Sequence, residues 1–260
     1  MFMQNSINDA NNKYYLMGGI VCCLIFLFLI AAVNWYIPVA QLNAYLNQYV
    51  ENKLPFSFLR YIALLVSLLG DKYVIIPTVL LTGFFFQRQK RFSLHFIIVV
   101  ILAMLLASFF KNSLAIPRPD VFIQLNKFAF PSRHVSLCSS YLIFLSLIIT
   151  QQIKHYKWLV VVSALTLILL ESLSRMILGV HWLTDVVGGI LLGAACALFV
   201  VYHYNFKPTP IQNLRSFVKI FIMIFCLISL FYLFIYWTEL IKEYKFRQES
   251  GILDFNLYIT

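Results

Sequence analysis

The sequence is poor in charge. Only 12% of its 260 residues are Asp, Glu, Lys or Arg, whereas 62% are hydrophobic. A soluble domain has about 25% charged residues and about 45–50% apolar ones. This chain has too few charges to cover a globular surface and too much apolar character to be disordered or fibrous. The composition therefore predicts an all-α, polytopic transmembrane bundle with no large soluble domain beside it.

The sequence also lacks the cysteine patterns of disulfide scaffolds and of zinc sites. No C-x-x-C pair and no Cys/His metal spacing occurs. The cysteines all lie in or next to apolar runs, so we interpret them as small lipid-facing or core residues. They are Cys22, Cys23, Cys138, Cys196 and Cys226.

Acidic residues are half as frequent as basic ones, 10 against 20, which gives a net charge of +10. No basic arm with interleaved aromatics is present, so the excess does not predict nucleic-acid binding. Two interpretations stay open for the basic residues. They are anchors at anionic lipid headgroups, or they form a site for an anionic ligand.

The apolar runs predict about six core spans and one additional C-terminal span. The predicted spans are Leu16–Tyr36, Tyr73–Phe86, Leu94–Phe110, Val135–Thr150, Trp158–Leu173, Asp185–Tyr204 and Phe217–Trp237. Val39–Phe56 is predicted to be an interfacial helix or loop. Phe58–Leu69 is separated from the second span by Gly70-Asp71-Lys72, and we expect it to be a half-buried or tilted approach helix.

These spans divide the chain into five parts. The predicted parts are a cytoplasmic N-terminus (1–15), a membrane-embedded core (16–204), a cytoplasmic loop (205–216), an extra C-terminal helix (217–238) and a polar tail (239–260). The short basic loop 87–91 is predicted to be cytoplasmic. Alternation then places 111–134, 175–184 and the tail outside. The outer loops are also basic. The rule that basic loops stay in the cytoplasm does not explain this, but an anionic ligand bound by these loops would.

Three polar clusters fall in those outer segments. The first holds Lys111 and Arg118, where Pro117 and Pro119 stop the third span. The second is Pro131-Ser132-Arg133-His134, where Ser132 or a neighbour can cap the fourth span and free backbone N–H groups can bind an anion. Taken alone, interfacial snorkelling of the bases or an ordinary helix cap would explain each of these equally well.

The third cluster links the fifth and sixth spans and contains Arg175, His181 and Asp185. His181 and Asp185 are four residues apart at the start of a helix, so we expect them to share a face. Asp185 would then hold one imidazole nitrogen and leave the other free as a nucleophile, although a purely structural pair is the alternative. Together the clusters supply cations, imidazoles and few carboxylates, which favours metal-free phosphoryl transfer.

The motifs carry a resemblance to a known family. Lys111-x6-Arg118-Pro119, Pro131-Ser132-x-His134 and Ser174-Arg175-x5-His181-x3-Asp185 match, in order and spacing, the signature of the type 2 phosphatidic acid phosphatase superfamily. Gly179-Val180-His181-Trp182 and Gly188-Gly189 are also typical of it. The resemblance covers Phe110 to roughly Gly193. The family usually has Gly where this chain has Arg133.

The resemblance implies a helical membrane bundle with its active site at the outer leaflet and no metal or cofactor. It implies that His181 is the nucleophile of a phosphohistidine mechanism, oriented by Asp185, and that His134 is the general acid. It also implies phosphate binding by Lys111, Arg118, Ser132 and Arg175. Arg133 would add a cation for a diphosphate or would face lipid headgroups.

The expected function is therefore hydrolysis of a lipid phosphate or diphosphate. The expected substrates are polyprenyl diphosphate, phosphatidylglycerol phosphate, phosphatidic acid or lipid A phosphates. A lipid-to-lipid phosphotransferase with the same site is the alternative, and a transporter of an anionic headgroup is a third. The expected location is a bacterial cytoplasmic (inner) membrane, with the site facing the periplasm or exterior. The expected partners are the bilayer and its lipid phosphates, whereas the sequence leaves the oligomeric state open.

Overall fold

The computed structural model describes residues 2–53, 58–119 and 128–251, which form helices joined by short connections. The helices are α1 (Phe2–Trp35), α2 (Ile37–Lys53), α3 (Phe58–Val66), α4 (Lys72–Phe85), α5 (Lys90–Leu114), α6 (Arg133–Gln152), α7 (Lys157–Ile177), α8 (Leu183–Tyr204) and α9 (Leu214–Gly251). Short 3-10 turns, Ser67–Leu69 and Gln87–Gln89, precede α4 and α5. No strand occurs in the described ranges, so the predicted all-α class is confirmed.

Within the described residues, seven helical stretches are long and apolar enough to cross a membrane, which confirms the predicted number of spans. Their bounds differ from the prediction in the second span. There α3, the Ser67–Leu69 turn and α4 follow one another and form a single candidate span, Phe58–Phe85. Our separation of Phe58–Leu69 as an approach helix was therefore wrong. The polar break at Gly70 interrupts the helix, because Gly70 N–H bonds back to Ser67 O and Asp71 starts a new helix, but it does not end the span.

The two ends of the chain also differ from the predicted bounds. The interfacial segment predicted at Val39–Phe56 is the helix α2, which begins at Ile37 and ends at Lys53. Residues 54–56 lie outside the described residues. The last helix does not end near the predicted boundary at 238 but continues to Gly251. Residues 252–260 of the predicted tail lie outside the described residues.

Helices α6 and α8 form the centre of the bundle. In the apolar 18-residue stretches of α6 and α8, 61% and 67% of the residues are buried. In the corresponding stretches of α1 and α9 only 11% are buried, so these two helices present most of their surface to lipid. Close contact between α6 and α8 depends on glycine. A Cβ atom on Gly189 would lie 2.9 Å from Ser132 O, and one on Gly193 would lie 2.6 Å from Ser136 O. The spacing of these two glycines, four residues apart on one face of α8, therefore permits the close approach of α6.

The polar ends of several helices meet at one end of this bundle. The backbone N–H of Ser132, just before α6, donates to Asp185 O in the first turn of α8 at 2.9 Å. The indole N–H of Trp182 donates to Pro117 O, beyond the end of α5, at 2.9 Å. The chain segments that carry the three predicted clusters are therefore adjacent in space.

Candidate active site

His181 and Asp185 form a buried pair at the start of α8. His181 Nδ1 lies 3.1 Å from Asp185 Oδ2, and their side chains are 1% and 0% exposed. The same carboxylate oxygen accepts the backbone N–H of Trp182 at 2.8 Å. An ionised carboxylate can only accept, so Nδ1 carries the proton and Nε2 keeps its lone pair.

The pair does not arise as we expected from its spacing. We predicted that both residues share one helix face, but α8 begins at Leu183 and His181 lies before it. Asp185 is the third residue of the helix, and its carboxylate reaches back to the Trp182 N–H, one half of a capping box. The imidazole is therefore held by a helix-capping carboxylate rather than by helical periodicity.

Arg175 occupies the last turn of α7 and is 3% exposed. The helix ends in a Schellman motif, in which Val180 N–H bonds to Arg175 O and Gly179 N–H bonds to Met176 O. Gly179 has a φ of 69°, in the left-handed region that glycine adopts without a steric penalty. This sharp end turns the chain back so that His181 follows Arg175 into the same site.

Lys111 lies in the last turn of α5 and is only 5% exposed. The predicted end of this helix is confirmed, but the helix ends several residues before Pro117 and Pro119. The helix ends at Leu114, and Ala115 follows with a φ of 51°. Arg118 then lies in non-helical backbone, and its Nε donates to Phe128 O at 3.4 Å.

Ser132 is the residue before α6, as predicted, but its hydroxyl does not cap the helix. Ser132 Oγ is buried and makes no hydrogen bond within the described residues. A buried hydroxyl without a partner costs stability, and such a group is commonly satisfied by a ligand or water. The N–H groups of the first helical turn, which begins at Arg133 and His134, lie beside it.

The positive charges of the three clusters converge on His181. Burial lowers the pKa of His181 well below its usual value, and the charges of Lys111, Arg118, Arg175 and His134 lower it further. The structure thus brings together all the residues that the motifs singled out for catalysis and phosphate binding. The lowered pKa keeps His181 neutral near pH 7, which is the state that a nucleophile requires.

Arg133 belongs to the same end of the bundle. Its charge acts on Lys111, as do those of Arg118, Arg175 and Asp185. Its side chain is half-buried, and Nε makes no hydrogen bond within the described part of the chain. The guanidinium therefore has donor capacity left for an anion near the predicted phosphate site.

The sequence analysis missed two residues that contact this site. Asp71, before α4, faces His134, with Oδ2 3.7 Å from Nε2. Asn43 of α2 donates to Thr184 Oγ1 at 2.9 Å and accepts the Thr184 N–H at 3.3 Å, so it caps α8 from outside. Asp71 left a signal in the sequence, because a charge inside an apolar stretch is a functional candidate. Asn43 left none.

The donor set of the site is rich in cations and poor in metal ligands. Within the ranges that the structure describes, no group of three His, Cys, Asp or Glu side chains could hold a metal ion. The imidazoles of His134 and His181 are instead each paired with one carboxylate. Independence from metal stays a prediction.

The comparisons with known proteins agree with this architecture. The model of the PAP2 superfamily matches residues 92–209, which include all three motif clusters. The match spans 118 of the 260 residues, and over this part the chain is similar to the PAP2 superfamily. The resemblance inferred from the motifs is therefore confirmed, and the chain is an enzyme of the lipid phosphatase class.

Two curated relatives support this assignment. The chain is 27% identical to an undecaprenyl-diphosphatase of Sulfolobus acidocaldarius over 163 residues, which cover 59% of this chain and 74% of the relative. It is also 27% identical to phosphatidylglycerophosphatase B of Bacillus subtilis over 136 residues, which cover 49% of this chain and 66% of the relative. Both relatives are phosphatases by name.

A solved structure shares the fold. The crystal structure of a transmembrane PAP2-type phosphatidylglycerolphosphate phosphatase from Bacillus subtilis superposes with a TM-score of 0.66 at 23% identity. The superposition covers 75% of this chain and 98% of that one. The predicted transmembrane bundle is thereby confirmed. Helix α9 lies beyond the family match, which ends at residue 209.

Proposed function

We propose that the protein hydrolyses a lipid phosphate or diphosphate at the outer leaflet through a metal-free phosphohistidine intermediate. The observation that carries this proposal is the buried His181–Asp185 pair. It leaves a neutral imidazole with Nε2 free, surrounded by the charges of Lys111, Arg118 and Arg175. Such an arrangement supplies both a nucleophile and preorganised stabilisation of phosphoryl charge.

The first step forms the phosphoenzyme. The guanidinium groups of Arg118 and Arg175 and the ammonium of Lys111 neutralise the non-bridging oxygens, and Ser132 Oγ donates to one of them. His181 Nε2 attacks phosphorus in line, and a nitrogen–phosphorus bond forms as the bond to the leaving oxygen breaks. His134 gives its proton to that oxygen, so the leaving alcohol or phosphate departs protonated.

The second step releases phosphate. His134, now neutral, takes a proton from a water molecule whose oxygen attacks phosphorus. The nitrogen–phosphorus bond breaks, orthophosphate leaves, and His181 recovers its neutral form. Asp185 keeps the Nδ1–H oriented throughout, as the carboxylate of a catalytic triad does.

The proposed substrates are lipid phosphates. The named activities of the relatives support polyprenyl diphosphate and phosphatidylglycerol phosphate as the first substrates to test. Arg133 would bind the second phosphate of a diphosphate, since its guanidinium lies near Lys111. We place the enzyme in a bacterial cytoplasmic membrane with the site facing outward, because the basic loop at 87–91 is predicted to be cytoplasmic.

Release of free phosphate from the purified protein in detergent tests the proposal. We expect activity on one or more lipids from a panel of polyprenyl diphosphate, phosphatidylglycerol phosphate, phosphatidic acid and lipid A. His181→Ala should abolish release while the protein still inserts. His155→Ala, in an exposed turn between α6 and α7, is the matched control and should retain activity.

Each outcome of this screen is informative. Near-normal turnover by the His181→Ala variant would remove His181 as the nucleophile. Transfer of phosphate to a second lipid, without release of free phosphate, would indicate the phosphotransferase alternative.

A further inference from the structure

The active site contains a second carboxylate–imidazole pair. Asp71 Oδ2 lies 3.7 Å from His134 Nε2, and the two side chains are 15% and 25% exposed. This distance exceeds that of a hydrogen bond but fits an ion pair with a protonated imidazole. Catalytic contacts are often longer without substrate and shorten when it binds. Asp71 precedes the residues matched by the family model, which begin at 92.

The turn before α4 is built against His134. A Cβ atom on Gly70 would lie 2.7 Å from the carbonyl carbon of His134 and would also collide with its oxygen. Only glycine permits this approach, because any side chain would push the turn away from α6. The next residue, Asp71, caps α4 through Oδ1, which accepts the Tyr73 N–H at 2.7 Å. Its other oxygen, Oδ2, is the one that faces His134.

Helix α9 contributes to the same carboxylate. The hydroxyl of Tyr232 donates to Asp71 Oδ2 at 3.3 Å. The ring of Tyr232 also stacks on that of Tyr73, with centroids 6.2 Å apart. Asp71 is thus held by the cap of α4 and by the C-terminal helix at once. This contact connects α9, which lies beyond the family match, to the catalytic machinery.

Asp71 offsets the positive charges that surround His134. The positive charges of Arg175 and Lys111 act on His134, whereas Asp71 supplies negative charge. An imidazolium carries a proton on both nitrogens, so Nε2–H can pair with Asp71 while Nδ1–H is presented to the leaving oxygen. A carboxylate that orients an imidazole and stabilises its cation has the same role as the acidic member of a catalytic triad.

We propose that Asp71 is a positioning residue for the general acid His134, and that Tyr232 of α9 holds Asp71 in place. This inference rests on the proposed phosphohistidine mechanism and adds a second carboxylate to it. In the first step Asp71 keeps His134 oriented as the proton passes from Nδ1 to the leaving oxygen. In the second step it holds the neutral ring as Nδ1 accepts the proton of water.

The test uses the dependence of general acid catalysis on the leaving group. An alkyl phosphate needs its leaving oxygen protonated, whereas p-nitrophenyl phosphate releases a stable phenolate without help. Asp71→Asn removes the charge but keeps the helix cap, since Asn caps helices as well as Asp does. Purified wild-type and variant proteins are compared on a lipid monophosphate and, in single turnover, on p-nitrophenyl phosphate. Thermal unfolding is measured in parallel.

We expect Asp71→Asn to lower kcat on the lipid substrate by about 10- to 100-fold, a part of the 10²–10⁴-fold that general acid–base catalysis supplies. KM and the single-turnover release of nitrophenolate should stay close to wild type. His134→Ala should show the same selectivity with a larger loss. Tyr232→Phe removes only the donor and should cause a smaller loss of the same kind. Tyr236→Phe, one turn later on α9, is the matched control and should leave both activities unchanged.

Two results would overturn the inference. Equal loss on both substrates in Asp71→Asn would mean that Asp71 acts on structure alone, and wild-type kcat on the lipid would mean that it has no role. If His134→Ala also lowers the activity on both substrates equally, the assignment of His134 as general acid is wrong, and the proposed mechanism fails with it. Selectivity in His134→Ala without selectivity in Asp71→Asn refutes only the role of Asp71.

Discussion

Substitution of Gly193 tests whether the contact between α6 and α8 sets the geometry of the active site. In Gly193→Ala the new Cβ would lie 2.6 Å from Ser136 O and would collide with Ser139 Oγ. The hydroxyl can rotate away, but the backbone oxygen cannot. Ordinary contact begins at 3.4 Å, so the two helices must separate locally by about 0.8 Å.

The cost of this separation follows from two opposing effects. Overpacking a close contact costs about 1–3 kcal/mol. Replacing Gly by Ala in a helix recovers about 0.5–1 kcal/mol. The net loss of stability is therefore about 0–2.5 kcal/mol, with a central value near 1 kcal/mol. Because α6 carries His134 and α8 carries Asp185, a displacement of this size should also lower kcat by about 10- to 100-fold.

The assay measures thermal unfolding in detergent together with phosphate release. Gly83→Ala in α4 is the matched control, since its Cβ would meet the flexible end of Ile97 at 3.0 Å and otherwise makes only ordinary contacts, such as Ser93 Cβ at 3.9 Å. That variant should keep wild-type activity and nearly wild-type stability. If Gly193→Ala behaves like Gly83→Ala, close contact between α6 and α8 does not set the catalytic geometry.

The remaining predictions concern chemistry and support around the site. Phosphate release should persist in EDTA, and complete loss that zinc or magnesium restores would overturn the metal-free mechanism. Arg133→Gly should change the ratio of diphosphate to monophosphate turnover, and an unchanged ratio would make Arg133 a surface residue. Since the pKa of His181 is lowered, the nucleophile loses its lone pair only well below pH 6.5. We therefore expect kcat/KM, corrected for ionisation of the substrate, to stay constant as the pH falls to 6.5 and to decline only well below it. A decline that begins above pH 6.5 would contradict the lowered pKa of His181. Asn43→Ala should destabilise the protein by about 1 kcal/mol, the usual cost of losing a helix cap, and unchanged thermal unfolding would show that the Thr184 contact is not a cap.

The membrane architecture was largely predictable because the bilayer constrains sequence strongly. A span needs about 20 apolar residues, so hydropathy alone indicated about seven of them. The failure at Phe58–Phe85 has a physical cause. The polar Gly70-Asp71-Lys72 turn is tolerated there because Gly70 packs against α6 and Asp71 faces His134. A hydropathy pattern contains no information about such partners, so the predicted span began only after the turn, at Tyr73.

The residues of the candidate active site could be singled out for a different reason. Phosphoryl transfer demands particular side-chain types, so Lys111, Arg118, His134, Arg175 and His181 stood out against an apolar background. Their local structure was less accessible. The Ser132 hydroxyl does not cap α6, although its position before the helix suits capping. Asp185 reaches His181 through a capping contact and not along a helix face.

The difference between Asp185 and Asp71 shows where inference from sequence stops. Asp185 lies four residues from its imidazole, and local backbone geometry can close that distance. Asp71 meets His134 across 63 residues, and the contact exists only because α4, α6 and α9 pack together. The residues proposed to perform the chemistry are therefore readable from spacing, whereas Asp71, proposed to hold one of them in position, had to be found in the structure.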